Sequence, residues 1–73
     1  MTNNFAFNLH YLRKKNHLNQ KQLAEIVGKS VSTVSAWEKE TRVPLVEDVY
    51  VLAKYFNIDM ETLYFGEVVD ASL

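Results

Sequence analysis

Between Ser30 and Thr33 the chain places three hydroxyls in four residues, Ser30, Ser32 and Thr33, with Val31 among them. Small hydroxyl side chains donate and accept hydrogen bonds while letting the backbone come close to a ligand. Asn19 and Gln20 precede this run, Lys29 adjoins it, and Lys39 and Arg42 follow it. Amides and long cations of this kind suit phosphate oxygens. Other chemistry is poorly provided for. His10 and His17 lie seven residues apart, about 10.5 Å along a helix, too far to ligate one metal. Neither has Cys, Asp or Glu at ligand spacing. No G-x-S-x-G elbow, P-loop or other glycine-rich phosphate loop is present. The carboxylates fall mostly in the C-terminal half, at solvated or capping positions, and so short a chain has little room for a substrate cavity. The pattern implies a binding protein and not an enzyme, with no metal, cofactor or small-molecule substrate.

The chain has 73 residues, 48 % apolar and 23 % charged, as expected for one small soluble domain. The absence of cysteine excludes disulfides and thiolate metal sites, and fits a reducing, cytoplasmic setting. The longest apolar run, Val49 to Ala53, is far too short to cross a bilayer. No basic leader precedes an apolar block at the N-terminus, so no secretory signal is expected. The net charge of −1 hides a strong asymmetry. Residues 1–42 carry seven cationic and three acidic side chains, net +4; residues 43–73 carry one and six, net −5. The hydroxyl run lies in the positive half, so the asymmetry either marks a face for an anionic partner or is chance scatter of surface charge.

Positioning these residues requires helices. Glycine and proline are scarce, apolar residues recur at helical spacing, and no stretch alternates as a half-buried strand would. The spacing predicts five helices and no sheet. The first covers about Phe5 to Lys15, with Phe5, Leu9 and Leu12 on one face and Asn3 or Asn4 as cap. Its last turn, Arg13-Lys14-Lys15, either complements the helix dipole or faces an anion. The second covers Gln20 to Val27, capped by Asn19 and ended by Gly28 in a left-handed conformation. The third covers about Val31 to Lys39, capped by Ser30. Three residues separate these two, the length of the turn in a helix-turn-helix. Leu23, Ala24, Val27, Val34 and Trp37 face the core. Pro44 ends the third helix before Val43. The fourth covers about Val46 to Phe56, burying Val46, Val49, Leu52, Ala53 and Phe56, with Asn57 left-handed after it. Asp59 caps a fifth, Met60 to Phe65, which Gly66 ends. Residues 1–66 form the domain, and residues 67–73 are expected to be a frayed tail. Val51 and Tyr55, off the buried stripe, either pack under that tail through Val68 or Val69 or join a partner surface.

In a helix-turn-helix the N-terminal part of the second helix enters the major groove of DNA. Here that part is Ser30-Val31-Ser32-Thr33. Ser32 and Thr33 could hydrogen-bond base edges or be plain polar surface; Val31 and Ala36 could meet thymine methyl groups. Gln20, at a helix start, is placed for a phosphate. Arg42 could reach backbone or minor groove from its loop.

A family resemblance rests on Leu18-Asn19-Gln20-x-x-Leu23-Ala24, Gly28-x-Ser30, Thr33-Val34-Ser35-x-Trp37-Glu38, Arg42-x-Pro44 and Leu52-Ala53. In order and spacing these resemble the phage Cro/repressor-type helix-turn-helix family, the xenobiotic-response-element class, over about residues 5–66. The resemblance implies an all-α, five-helix, lambda-repressor-like domain. It implies a transcription regulator, usually a repressor, on a near-palindromic double-stranded DNA operator. By position it makes Gln20 a phosphate anchor, Val31, Ser32 and Ala36 base-facing, and Ser30, Thr33 and Arg42 close to the backbone. Asn19, Lys29 and Lys39 complete the DNA-facing set. It also pairs Arg13 with Glu38 and turns Trp37 inward. Dimerisation near the fifth helix is implied, so a weak homodimer through Met60, Leu63 or Tyr64 is expected. Three residues depart from the pattern: Glu40 stands where glycine is usual, Lys29 replaces an apolar turn residue, and Leu45 replaces a Ser or Thr cap. The alternative is a protein-interaction module of antitoxin or anti-repressor-target type, using the acidic half.

Overall fold

The first four helices all stop in the same way. In the computed structural model, which describes residues 3–71 and side chains through Val69, they are α1 (Phe5–Lys15), α2 (Gln20–Val27), α3 (Val31–Glu38) and α4 (Val46–Phe56). After each, one residue turns left-handed: His17 at φ 58°, Gly28 at 70°, Glu40 at 63° and Asn57 at 58°. The next N–H then donates to a carbonyl five residues back, Leu18 to Arg13, Lys29 to Ala24, Thr41 to Ala36 and Ile58 to Ala53, at 2.9–3.0 Å. This closure satisfies carbonyls that the helix itself leaves open. Glycine enters it freely; His17 and Glu40 do so against steric strain. The departure at Glu40 therefore leaves the end of α3 intact.

Two short helices follow, α5 (Met60–Phe65) and α6 (Val68–Ala71). The first five helices match the expected spans. The sixth does not: Val68 is only 1 % exposed, so the start of the expected tail is part of the domain. The reason lies in α1. Asn8, on the same face as Phe5 and Leu12, is fully buried. Its Nδ2 donates to the carbonyls of Leu63 (2.8 Å), Gly66 (3.0 Å) and Thr62 (3.2 Å), and its Oδ1 accepts the Val68 N–H at 3.5 Å. A buried carboxamide must be satisfied, and the chain after α5 turns back across α1 to do it. Gly66 is required in that turn, because a Cβ there would lie 2.8 Å from the Thr62 carbonyl oxygen. Residues 72 and 73 of the tail lie outside the described residues.

The core joins Phe5, Leu9 and Leu12 of α1, Leu23 and Ala24 of α2, Val34 and Trp37 of α3, and Val49, Leu52 and Ala53 of α4 with Leu63 and Val68. Phe5 meets the Trp37 ring edge-on, with centroids 6.0 Å apart. Val27 and Phe56 pack at its margin.

Two expected placements are corrected here. Val46 is not core but 77 % exposed, because α4 begins one turn outside the core rim. Leu63 is 0 % exposed and cannot lie on a dimer face; it is the one residue of α5 that plugs the core. Val51 and Tyr55 stay exposed, uncovered by Val68 or Val69. At the start of α1, Asn3 Oδ1 accepts the Phe5 N–H at 3.0 Å, while Asn4 donates to the Gly66 carbonyl at 2.9 Å. The start of α4 forms without a hydroxyl at Leu45: Asp48 Oδ2 accepts the Leu45 N–H at 3.0 Å instead.

Candidate nucleic-acid interface

The outward face of α3 follows from its inward one. Val34 and Trp37 point into the core, so Ser32, Ala36 and Lys39, spaced by four and three, line up on the opposite side. Ser32 and Lys39 are exposed, Ala36 is half-buried, and Val31 is exposed on the first turn. Ser30 caps the helix, its Oγ accepting the Thr33 N–H at 3.2 Å. Its hydroxyl also lies 3.1 Å from Ser32 Oγ and 3.0 Å from Thr33 Oγ1. Arg42 reaches back from the following loop, Nη1 donating to Thr33 Oγ1 at 2.9 Å. The base-facing and backbone-facing candidates Ser30, Ser32, Thr33 and Arg42 thus form one connected surface.

Behind this face sits a carboxylate. Arg13 donates to Glu38 twice, Nε to Oε2 at 2.7 Å and Nη2 to Oε1 at 3.0 Å, and Nη1 donates to the Leu18 carbonyl at 2.9 Å. Such a fork fixes both partners in angle as well as distance. Gln20 Nε2 donates to Glu38 Oε1 at 3.0 Å. His10 Nδ1 lies 3.2 Å from both Glu38 Oε1 and Arg13 Nη2; its single nitrogen can donate to the first or accept from the second, not both. Burial pushes the Glu38 carboxyl up. The hydrogen bonds from Arg13, Gln20 and His10, with the Arg13 charge, outweigh burial and hold it below the ordinary carboxylate range. The hydrogen bond from Arg13 to Glu38 raises the guanidinium pKa against its own burial, with help from the Glu38 charge. Glu38 therefore joins α1, α2 and α3 at one point, and Gln20 is held by it.

Asn19 caps α2 with a reciprocal pair: its Oδ1 accepts the Gln22 N–H at 2.7 Å, and Gln22 Oε1 accepts the Asn19 N–H at 2.8 Å. Lys29, in the turn between α2 and α3, is 3.1 Å from Asp48 Oδ1. Its charge is directed at α4 and not straight out of the turn. Asp48 is buried, and its two oxygens serve the turn and the α4 start together. Sequence reasoning missed Asp48, Asn8 and the Gln20–Glu38 bond. The signal for Asp48 was present, an acid three residues after a cap position lacking its own acceptor. Of the proposed dimer residues, Met60 and Tyr64 are half-buried at the rim of an apolar groove shared with Pro44, Val46, Val49 and Phe65.

A helix-turn-helix family profile matches residues 9–63. No relative is found among curated protein sequences. Among solved structures, the P22 c2 repressor in complex with a synthetic operator aligns at 27 % identity, covering 86 % of this chain and 96 % of the repressor chain, with a TM-score of 0.80. The LexA SOS-response transcriptional repressor of Eubacterium rectale aligns at 34 % identity over 81 % of this chain and 63 % of its own, with a TM-score of 0.76. A transcriptional regulator from Listeria innocua shares the fold at 24 % identity, covering 99 % and 73 %, with a TM-score of 0.83. With a profile matching most of the chain, and the turn, the capped third helix and the core that holds them in place, the chain belongs to the Cro/C1-type helix-turn-helix family of DNA-binding transcription regulators.

Proposed function

We propose that this protein represses transcription by seating α3 in the major groove of a near-palindromic operator. The observation that carries this reading is the outward face of α3. It is small and uncharged from Val31 to Ala36, flanked by Arg42 on one side and by the Glu38-held Gln20 on the other. Phosphate contacts position a protein on DNA, and base edges supply specificity. Here Asn19, Gln20, Lys39 and Arg42 are the positioning set, joined by Lys29 when it leaves Asp48; Val31, Ser32 and Ala36 are the reading set. The P22 repressor's complex with its operator supports the same use of this fold. None of the reading residues offers a bidentate pairing with guanine or adenine, so specificity rests on close fit.

The homodimer belongs to the same proposal. With Leu63 in the core, Met60 and Tyr64 remain as contact residues, and the apolar groove beside them supports a second copy of the chain as the occupant. Two-fold symmetry would set half-sites one DNA turn apart, about 34–36 Å. Selection of bound duplexes from a random pool, followed by titration at two salt concentrations, tests both parts. The expected result is a paired motif and a log–log salt slope of about −0.9 per phosphate neutralised. No duplex retained at low salt would sink the operator reading; an unpaired motif would sink the dimer.

A further inference from the structure

We propose that His10 and Gln20 together bind one phosphodiester group of the DNA backbone, and that His10 takes up a proton as DNA binds; this rests on the operator reading above. His10 lies outside the set assigned to DNA so far. It stands on α1 and Gln20 opens α2, and one carboxylate oxygen brings them side by side. Glu38 Oε1 lies 3.2 Å from His10 Nδ1 and 3.0 Å from Gln20 Nε2.

The inner side of this pair is closed. Arg13 and Glu38 are nearly buried and forked onto each other, so both are committed inward. The His10 side chain keeps 54 % of its surface exposed. Among the described residues it is tied through Nδ1 alone. The two ring nitrogens of an imidazole aim in divergent directions, so with Nδ1 turned to Glu38 and Arg13 the outer part of the ring carries Nε2. Gln20 gives one amide hydrogen to Glu38 and keeps the second. Its backbone N–H, in the first turn of α2, has no acceptor within the helix. His10 and Gln20 thus offer neighbouring donors from two helices.

Charge decides the state of the ring. Arg13 and Glu38 cancel each other. A neutral ring carries one hydrogen. On Nε2 it faces outward, with Nδ1 accepting from Arg13 Nη2 at 3.2 Å; on Nδ1 it goes to Glu38, and Nε2 turns a lone pair towards any phosphate. A protonated ring donates at both ends, to Glu38 and outward. Arg13, and Lys14 one turn further along α1, oppose that proton; Glu38 favours it, and a bound phosphate adds a second anion on the outer side. Glu38 stays ionised at neutral pH, since its carboxyl is held below the ordinary carboxylate range. Coupling of this kind is reciprocal: the phosphate favours the proton, and the proton favours the phosphate by the same factor. Affinity therefore rises as pH falls through the range where histidine titrates, about pH 8 to 5.

The test uses a duplex recovered by the random-pool selection, titrated with wild type, His10→Gln, His10→Lys and His17→Asn at about pH 8 and about pH 6, over a series of salt concentrations. The wild type should bind about two- to fivefold more tightly at the lower pH for each bound protomer, the scale of one exposed ion pair. Its log–log salt slope should also steepen by up to about 0.9 per protomer, one further phosphate neutralised. His10→Gln should abolish both changes. His17→Asn alters the other histidine of the chain, keeps a residue that tolerates the left-handed conformation, and should retain both. His10→Lys carries a fixed charge, so it should show the steeper slope at both pH values and no pH response, which separates charge at this position from packing of the ring. The site is overturned if wild-type affinity is the same at both pH values, if the response survives in His10→Gln, or if affinity responds to pH while the salt slope does not. Failure of the wild type to bind any duplex at either pH would instead overturn the operator reading beneath it.

Discussion

The exposed faces of α3 and α4 make opposite use of solvent. On α3 the outward residues are small and polar, and their hydroxyls are tied to each other and to Arg42. On α4 they include Val46, Tyr50, Val51 and Tyr55, large and apolar, beside Glu47 and with Lys54 over the Tyr50 ring at 5.9 Å. The polar face lies in the cationic part of the chain and the apolar face in the acidic part. A polar, hydrogen-bonded surface keeps its shape in water and can be read by a hydrated, anionic partner. An apolar surface lacks the hydrogen-bonding groups that such a partner needs and favours protein. The two faces share no residue.

The largest expected effect separates the inner from the outer side of α3. Trp37→Ala should cost about 3–5 kcal/mol, most of the stability of a small domain, whereas Ser32→Ala should leave the melting temperature unchanged. Equal melting of both variants would show that α3 has no core side. Next in size is the acid response. Because Glu38 titrates below its unfolded value, its contribution is complete above the ordinary glutamate pKa of about 4.3. It is lost as pH falls through the lower folded pKa. The melting temperature should therefore drop on acidification, and Glu38→Gln should flatten that limb while lowering stability at neutral pH. An unchanged acid limb in the variant would place the effect elsewhere.

Asp48 joins the two faces, and Asp48→Ala should cost about 1 kcal/mol through the lost cap. It should also free Lys29, raising affinity for all duplexes alike; a change in sequence preference would contradict that role. The smallest effect is at Glu40. Glu40→Gly relieves a left-handed residue and should stabilise the domain by up to about 1 kcal/mol, and by removing a negative charge near α3 it should tighten duplex binding. A lower melting temperature would mean that the Glu40 side chain does more than occupy a turn.

The helices were legible because their punctuation is local. Gly28 and Asn57 mark two left-handed ends, Pro44 bars the third helix from continuing, and Asn19 and Ser30 are strong caps. What escaped depends on residues far apart in the chain. Val46 keeps the period of the buried stripe, and only the assembled fold shows that the first turn of α4 lies outside the core rim. Leu63 looks like any apolar residue of a short helix until the core is assembled. The start of the tail folds back where Asn8 Oδ1, sixty residues earlier, accepts the Val68 N–H. At the interface, the residue types were legible from the sequence, but their connections were not. Gln20 was recognisable as a helix-start amide, yet nothing in its neighbourhood signals that Glu38 orients it.

Asn8 also has a consequence for how the chain folds. Its bonds to Thr62, Leu63, Gly66 and Val68 span 54–60 residues of sequence. The α2–α3 unit, by contrast, closes over a three-residue turn. Contacts between distant residues form only after loop-closure entropy has been overcome. The helix-turn-helix should therefore order early and the Asn8 clasp late. The clasp would be the first part to open in the native state, and the amide of Val68 would exchange with solvent before those of α3.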